Sequence, residues 1–313
     1  MATLIAVGAC YLDTILTVEY YPAEDEKLRA SQLEKRRGGN VPNTLEVLQQ
    51  VLRWKSISAP LILLAVLPNR SSPATEEIRA SLGPHVDFAH CFYRKTSSVA
   101  PSSYIFKSLA TDSRTLVNYS DLEEMNTSEF EQAISKFANQ PDSIYHFEGR
   151  IPDVTAECID CIRIRDPKAT ISVEVEKPNR EGLQRLAQKA DVVFYSKSWA
   201  QAQGYQSATD CLQRQTILTP KASFLFCTWG VGGAAALRAS DKSIVQVPAY
   251  LPHSGHVVDT IGAGDTFIAG VLFGLFYTQN QNMVKTLSFA NELAGRKVAQ
   301  HGFSGLAEKM GQF

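Results

Sequence analysis

Short apolar runs recur along the chain at spacings that predict buried β-strands. The runs are continuous rather than alternating, as expected for strands covered on both faces. Between them lie amphipathic segments such as NTLEVLQQVLRW and EGLQRLAQKA, which predict helices. This alternation predicts a doubly wound, mostly parallel α/β sheet in three layers. The predicted strands span residues 4 to 9, 61 to 67, 143 to 148, 170 to 175, 191 to 196 and 223 to 228.

Two stretches interrupt the pattern, at residues 14–36 and 92–119. They carry Thr, Tyr, Ser and Arg with loose alternation, as in SSYIFKSLATDSRTLVNYS, which predicts a small separate β-sheet. No flexible linker isolates either stretch. We therefore expect one domain, residues 1–313, with these two segments inserted as a lid.

Composition narrows the class of partner. Lys and Arg number 31 against 32 Asp and Glu, a balance that favours neither nucleic acid nor an anionic membrane over a small molecule. The longest apolar run, FIAGVLFGLF, is shorter than the ~20 residues of a membrane-spanning helix. The six cysteines are scattered in mostly apolar segments, which is typical of reduced thiols, so we expect a cytoplasmic protein without structural zinc.

The segment VVDTIGAGDTFIAGVLFGLF carries the clearest chemistry. A predicted strand end runs through Gly262, Ala263 and Gly264 into Asp265 and a long apolar helix. Glycines allow a tight turn that brings helix N-terminal amides close to an anionic ligand. Asp265 should be held ionised by the helix terminus and could accept a proton, although Asp is also a common helix cap.

A second segment, RRGGNVPNTLEVL, places Gly39, Asn40 and Asn43 at the start of a predicted helix. Amide side chains donate and accept hydrogen bonds together, as sugar hydroxyls require. Asn40 could equally be a helix cap, with Pro42 just inside. Asp13 follows the first predicted strand, at the edge where open parallel sheets bind ligands.

Together, DTIGAGDTF and RRGGN resemble the two signatures of the ribokinase (pfkB-type) family of carbohydrate kinases. Five further strings are similar to sequences of the branch of that family that phosphorylates fructose, and they occur in the same order along the chain. They are YPAEDEKLRA, SRTL, HFEGR, SVEVEKP and DVVFYSK. The resemblance therefore spreads along nearly the whole chain.

The resemblance implies a role for each matched residue. Asp265 is the expected general base, and Gly262, Ala263 and Gly264 form the expected anion hole. The expected sugar contacts are Asp13, Gly39, Asn40 and Asn43, with Asp25 reaching the sugar site of a partner chain. The expected ATP contacts are Arg114, Lys177, Thr228, Trp229, Gly230, Gly232 and, beside the adenine, Asn291.

The same resemblance implies ATP as phosphoryl donor, Mg²⁺, an optional monovalent cation, and a homodimer joined through the lid. The NxxE motif that orders the metal in many relatives is absent, because the matching strand end reads Ser196, Lys197, Ser198, Trp199. The metal ligands are therefore left unassigned, with Glu176 as the one candidate.

These expectations lead to ATP-dependent conversion of a ketose, D-fructose first, into its 1-phosphate. Another sugar, a ketosamine or a nucleoside stays open as the substrate. Two other classes also stay open: a non-catalytic sugar or nucleotide sensor, and an NAD-dependent oxidoreductase suggested by the GxGxxA spacing of Gly230, Gly232 and Ala235. A P-loop kinase is excluded because GxxxxGK followed by Ser or Thr does not occur.

Overall fold

A computed structural model describes residues 2–137, 142–251, 257–279 and 282–311. Its main sheet has the strand order β15-β14-β13-β12-β11-β10-β1-β4-β6, parallel from β13 to β6, with β14 and β15 antiparallel at one edge. The strands of this sheet are β1 (Thr3–Val7), β4 (Leu61–Leu64), β6 (Val86–Asp87), β10 (Ser143–Phe147), β11 (Thr170–Val175), β12 (Val192–Tyr195), β13 (Phe224–Thr228), β14 (Ala234–Arg238) and β15 (Ser243–Val247).

Helices cover both faces of the main sheet. They are α1 (Asn40–Trp54), α2 (Pro73–Leu82), α3 (Thr127–Ile134), α4 (Pro152–Arg165), α5 (Leu183–Lys189), α6 (Lys197–Ala202), α7 (Ala208–Leu218), α8 (Ala263–Phe276) and α9 (Met283–Val298). Short 3₁₀ turns span Ser135–Phe137, Gly230–Gly232 and Ala307–Lys309.

Strand β1 shows why the sheet has two cores. Leu4 and Ala6 pack into a cluster with α1, α8 and α9, whereas Ile5 and Val7 pack into a cluster with α3, α4, α5 and α7. Successive side chains of a strand point to opposite faces. A continuous apolar strand therefore serves both clusters, and the predicted three-layer architecture is confirmed.

The predicted second sheet is also present. It has the order β3-β2-β8-β9 and is called here the small sheet. Its strands are β2 (Tyr11–Val18), β3 (Gln32–Gly38), β8 (Ser102–Ser108) and β9 (Arg114–Tyr119), and a further strand pair joins β5 (Val66–Leu67) to β7 (Phe92–Tyr93). The first lid segment starts earlier than predicted, because β2 already begins at Tyr11.

Helices α1 and α8 both begin at a glycine with positive φ. α1 and α8 start after Gly39 (φ 105°) and Gly262 (φ 79°), and neither start has a side-chain cap. By contrast, Ser72 caps α2 and Asn126 caps α3 through side-chain hydrogen bonds. At Gly39 a Cβ atom would lie 2.1 Å from the carbonyl oxygen of Ala9, so only glycine fits. Both helix starts therefore keep N-terminal amides free of capping side chains.

Candidate active site

A cavity of about 480 Å³ lies between the small sheet and the carboxyl ends of the main strands. Parallel sheets bind ligands at this edge. The predicted site residues that line it are Asp13, Gly39, Asn40, Asn43, Arg114, Lys177, Thr228, Gly262, Gly264 and Asp265. The structure thus brings together residues that are up to 252 positions apart, Asp13 and Asp265.

The turn before α8 forms one wall of the cavity. At Gly262 a Cβ atom would lie 2.3 Å from the ring of Phe303, so the turn packs directly against that side chain. The amide of Ala263 donates to the carbonyl of Thr260 at 3.3 Å, and Ala263 does not line the cavity. The amides of Gly264 and Asp265, in the first turn of α8, are better placed than that of Ala263 to meet an anion.

Asp265 is nearly buried, with 9% of its surface exposed. The amide nitrogen of Asn43 donates to its Oδ2 at 2.7 Å. Burial, together with the nearby carboxyl of Glu174, raises the pKa of Asp265, and the Asn43 hydrogen bond opposes that rise. Burial beside other carboxyl groups therefore opposes the stabilisation that the helix terminus is expected to give the ionised form of Asp265.

Arg37 fixes the orientation of Asn43. Its Nη1 donates to Asn43 Oδ1 at 2.7 Å, and its Nη2 forms an ion pair with Glu46. With the oxygen of the amide held by Arg37, its NH₂ group points at Asp265. Asn43 therefore contacts the expected base directly, a contact that the sugar-binding assignment did not include. We call Asp265, Asn43 and Arg37 the cavity floor.

Asn40 is the first residue of α1 and does not cap it, because Gly39 occupies the cap position. Its Nδ2 donates to Glu174 Oε2 at 2.7 Å and to Glu176 Oε2 at 2.9 Å. Glu174 Oε1 in turn lies 3.0 Å from His146 Nε2. Burial lowers the pKa of His146 to about 3, so its imidazole is uncharged near neutral pH, whereas burial and the nearby carboxyl of Glu148 raise the pKa of Glu174.

Asp13 lies on β2 of the small sheet, six residues after β1 ends, and not directly after the first strand as predicted. Its carboxyl is buried, and at Gly38 a Cβ would lie 2.4 Å from its Oδ2. Burial raises its pKa, and a hydrogen bond from Ser103 opposes the rise. Oδ1 has no partner in the described part of the chain, so a hydroxyl donor in the cavity would satisfy it.

The cavity lining also carries cations. Arg114 and Lys177 are exposed, and Lys177 pairs with Glu176 at 2.8 Å. Arg180, which the sequence reasoning missed, is half-buried and donates to the carbonyl of Gly149 at 2.6 Å. We call Arg114, Lys177 and Arg180 the cavity rim. Together with the α8 amides, the rim could hold a polyphosphate.

Several predicted ATP contacts lie outside this cavity. Trp229, Gly230 and Gly232 belong to a 3₁₀ turn joining β13 to the antiparallel β14. The amide of Asn291 on α9 donates to the carbonyls of Val247 and Pro248, both at 3.1 Å. Because the glycine turn leads into a strand and not a helix, its GxGxxA spacing does not form a dinucleotide-binding turn. The structure therefore gives no support to the hypothesis of an NAD-dependent oxidoreductase.

Asp25 is exposed on the segment between β2 and β3 and does not line the cavity of its own chain. Glu176, the one candidate metal ligand, already receives hydrogen bonds on both carboxylate oxygens, from Lys177 and Asn40. Within the described ranges, no group of three or more His, Cys, Asp or Glu side chains is arranged to hold a metal ion. Nor is any described helix long and apolar enough to cross a bilayer.

The comparisons with known proteins agree with this geometry. The model of the pfkB family of carbohydrate kinases matches residues 1–310. The chain therefore belongs to the pfkB family of carbohydrate kinases.

Two kinds of relative refine the comparison. Mouse ketohexokinase is 30% identical over 318 residues, covering 97% of this chain and 98% of that protein. Ribokinase from Giardia lamblia superposes with a TM-score of 0.76 at 17% identity, covering 98% of this chain and 95% of that one. Arabidopsis thaliana ribokinase, whose structure is a complex with ribose and ATP, superposes with a TM-score of 0.73 at 15% identity. The match covers 96% of this chain and 94% of that one. The ribokinase superpositions confirm the predicted ribokinase-like fold.

Sequence reasoning missed the contribution of the arginines. Arg36, Arg37, Arg150 and Arg180 all line the cavity. Arg36 and Arg37 precede Gly38-Gly39 and Arg150 ends the string HFEGR, yet none of the four was assigned a role. Paired arginines beside a glycine turn were the available signal. Arg150 and Arg180 follow strands β10 and β11, so their position after a buried strand was the other signal.

Proposed function

We propose that this carbohydrate kinase transfers the γ-phosphoryl group of ATP to the 1-hydroxyl of a ketose, D-fructose in the first place. The observation that carries the proposal is Asp265: a buried carboxylate, oriented by Asn43, at the N-terminus of α8 inside a cavity that is also lined by the unpaired carboxylate oxygen of Asp13 and by the cations of the rim. The similarity to mouse ketohexokinase over 97% of the chain supports a ketose as the acceptor.

In the proposed reaction, Asp265 takes the proton of the sugar hydroxyl as that oxygen forms its bond to the γ-phosphorus. The bond from the γ-phosphorus to the bridging oxygen breaks, and ADP leaves with that oxygen. Asp13 Oδ1 accepts a hydrogen bond from the sugar and holds its reacting end toward Asp265. A base whose pKa is raised toward the working pH takes a proton more readily than an ordinary carboxylate.

The amides of the first turn of α8 would stabilise the charge that develops on the transferring group. The rim residues Arg114, Lys177 and Arg180 would hold the remaining phosphates. Magnesium bound with ATP would neutralise phosphate charge, and it commonly keeps several waters and few protein ligands. A metal with few protein ligands is compatible with this site, because both carboxylate oxygens of Glu176 already accept hydrogen bonds from Lys177 and Asn40.

We further propose a cytoplasmic homodimer joined through the small sheet. Tyr104, Val117 and Tyr119 are exposed at 43%, 57% and 48%, and the pairing of β8 with β9 places them on the face of that sheet opposite to the cavity-lining Leu116. Apolar side chains grouped on one sheet favour contact with a partner surface. Asp25, on the segment that joins two strands of the same sheet, would then be available to the partner's cavity. The six free cysteines favour a reducing compartment.

A coupled assay of ADP release would test the function. Purified protein with Mg-ATP would be offered D-fructose, D-ribose, D-tagatose, adenosine and a fructosamine, and the products identified by mass and NMR. We expect D-fructose to be turned over fastest, to the 1-phosphate. Faster turnover of another acceptor would show that D-fructose is not the preferred substrate, and the proposed mechanism would stand. If no acceptor gave ADP release above background, catalysis would be contradicted and a non-catalytic sensor favoured.

A further inference from the structure

Arg36 is a cavity residue with an unused donor. It lies on β3 of the small sheet, and its side chain is 15% exposed. Its Nη1 donates to Asp259 Oδ2 at 3.1 Å. Its Nη2 is buried and has no hydrogen-bond partner in the described residues. A buried charged donor without a partner is costly in a folded protein, which indicates that a ligand completes it.

The partner of Arg36 is itself tied to the turn before α8. Asp259 Oδ1 accepts the amide of Ile261 at 3.0 Å, and its Oδ2 also accepts Lys297 Nζ at 2.9 Å. Lys297 is fully buried on α9. Asp259 is therefore shared by two cations, and the other carboxylate near Arg36, the half-exposed Glu34, lies 3.9 Å from Nη1, so Nη2 keeps no anionic partner among the described residues. The guanidinium stays available to an anion, and its position is fixed relative to the turn.

Arg36 also lies directly opposite Asp13 in the pairing of β2 with β3. Its charge acts on Asp13, whose Oδ1 is the free acceptor described above. Arg36 therefore lies beside both Asp13 and the turn before α8, because it pairs with Asp13 across β2 and β3 and binds Asp259, which holds that turn, and all three parts line the space between them. A group passing from ATP to a sugar held by Asp13 would cross this space. The rim residues Arg114 and Lys177, in contrast, are exposed at the outer part of the cavity.

We propose that Arg36 binds the transferring γ-phosphoryl group through Nη2, so that the small sheet supplies a cation to the reaction centre. The proposal rests on the function proposed above. Guanidinium is suited to the role because it presents several donors in a fixed plane and matches phosphoryl oxygens. Because Asp259 already orders the side chain, little rotamer freedom is lost when the ligand binds.

The test compares nucleotides that differ by the γ-phosphate. Binding of ADP and of a non-hydrolysable ATP analogue, each with Mg²⁺, would be measured by titration calorimetry for wild type and for Arg36→Gln, Arg36→Lys and Lys35→Gln. Lys35 is the matched control because it is the neighbouring cation on β3 and is exposed. Arg36→Gln keeps hydrogen-bonding groups and removes the charge, and Asp259 keeps Lys297 as its partner.

We expect Arg36→Gln to weaken the ATP analogue about tenfold or more while leaving ADP unchanged, because only the third phosphate is contacted. Arg36→Lys should give a smaller loss, and Lys35→Gln should match wild type. Turnover of Arg36→Gln should fall by about 10² to 10³, with little change in the KM of the sugar. Thermal unfolding of each variant gives the check on folding.

Equal loss of affinity for both nucleotides, or none for either, would overturn the role of Arg36 while leaving the kinase proposal intact. If Arg36→Gln does not fold, the same comparison on Arg36→Lys decides between these results. Failure of the wild type to bind either nucleotide would overturn both proposals together.

Discussion

The cavity floor and the cavity rim hold their functional groups in different ways. On the floor, Asp265, Asn43 and Arg37 are buried and joined by hydrogen bonds of 2.7 Å. On the rim, Arg114 and Lys177 are exposed. Preorganised buried groups need no reordering during reaction, whereas exposed side chains lose rotamer freedom when a ligand binds and are screened by salt. Chemistry should therefore depend on the floor and nucleotide affinity on the rim.

The largest effect should come from removing the base. Asp265→Asn keeps the size and the polarity of the side chain but cannot accept the sugar proton. We expect turnover to fall by about 10² to 10⁴ or more, with nucleotide affinity retained. Steady-state kinetics and calorimetric ATP binding check this. Near-normal turnover in a pure preparation would show that Asp265 is not the base.

The next effect should come from the residue that holds Asn43. Arg37→Gln frees the oxygen of Asn43 and leaves Glu46 without its cation, so the amide can turn away from Asp265. Misplaced reacting groups commonly cost about 10² in rate, and we expect kcat to fall on that order with a smaller change in the KM of ATP. The control is Arg53→Gln, because Arg53 is an exposed arginine near the end of α1, the helix that carries Asn43. If Arg37→Gln and Arg53→Gln had the same kcat, Arg37 would have no role in positioning the reacting groups.

The pH dependence of kcat/KM can distinguish the effects of Asn43 and Glu174 on the pKa of Asp265. Asp265 must be ionised to accept a proton, so kcat/KM should rise with pH through its raised pKa. Asn43 lowers that pKa and Glu174 raises it. Asn43→Ala should therefore move the acidic limb to higher pH, and Glu174→Gln should move it to lower pH. Shifts in the same direction in both variants would contradict this account of the floor.

The smallest effect should come from the rim. Lys177→Ala removes one exposed cation that already pairs with Glu176. We expect the KM of ATP to rise about two- to fivefold with kcat nearly unchanged, and the difference to shrink as ionic strength rises. Lys221→Ala, another exposed lysine, is the control. A loss confined to kcat would instead place Lys177 at the reaction centre.

The sequence was sufficient for the layers of the fold because its strands are buried on both faces. The run from Leu4 to Val7 is apolar throughout because its residues pack alternately into two separate cores, one on each face of the sheet. The small sheet was predicted from loose alternation, which fixes its existence better than its edges, and β2 therefore began earlier than expected. That start also moved Asp13 from the main sheet to the small sheet.

The motif residues of the site could be predicted, but their contacts could not. DTIGAGD placed Asp265 at a helix start, yet its raised pKa comes first from burial in the folded chain and then from Glu174, which is 91 positions away in the sequence. Asn40 looked like a helix cap, and only the three-dimensional structure shows it bound to Glu174 and Glu176. Arg36 pairs with Asp259 across 223 positions, a relation that no local pattern carries.

The buried ammonium of Lys297 has a consequence for how the protein is made. It holds Asp259 beside the turn before α8, while Arg36 on the other side of Asp259 comes from the beginning of the chain. During synthesis the reaction centre therefore cannot close until α9 has left the ribosome. Such long-range closure slows folding. Nascent chains that stop before α9 should carry both family signatures and still have no working site.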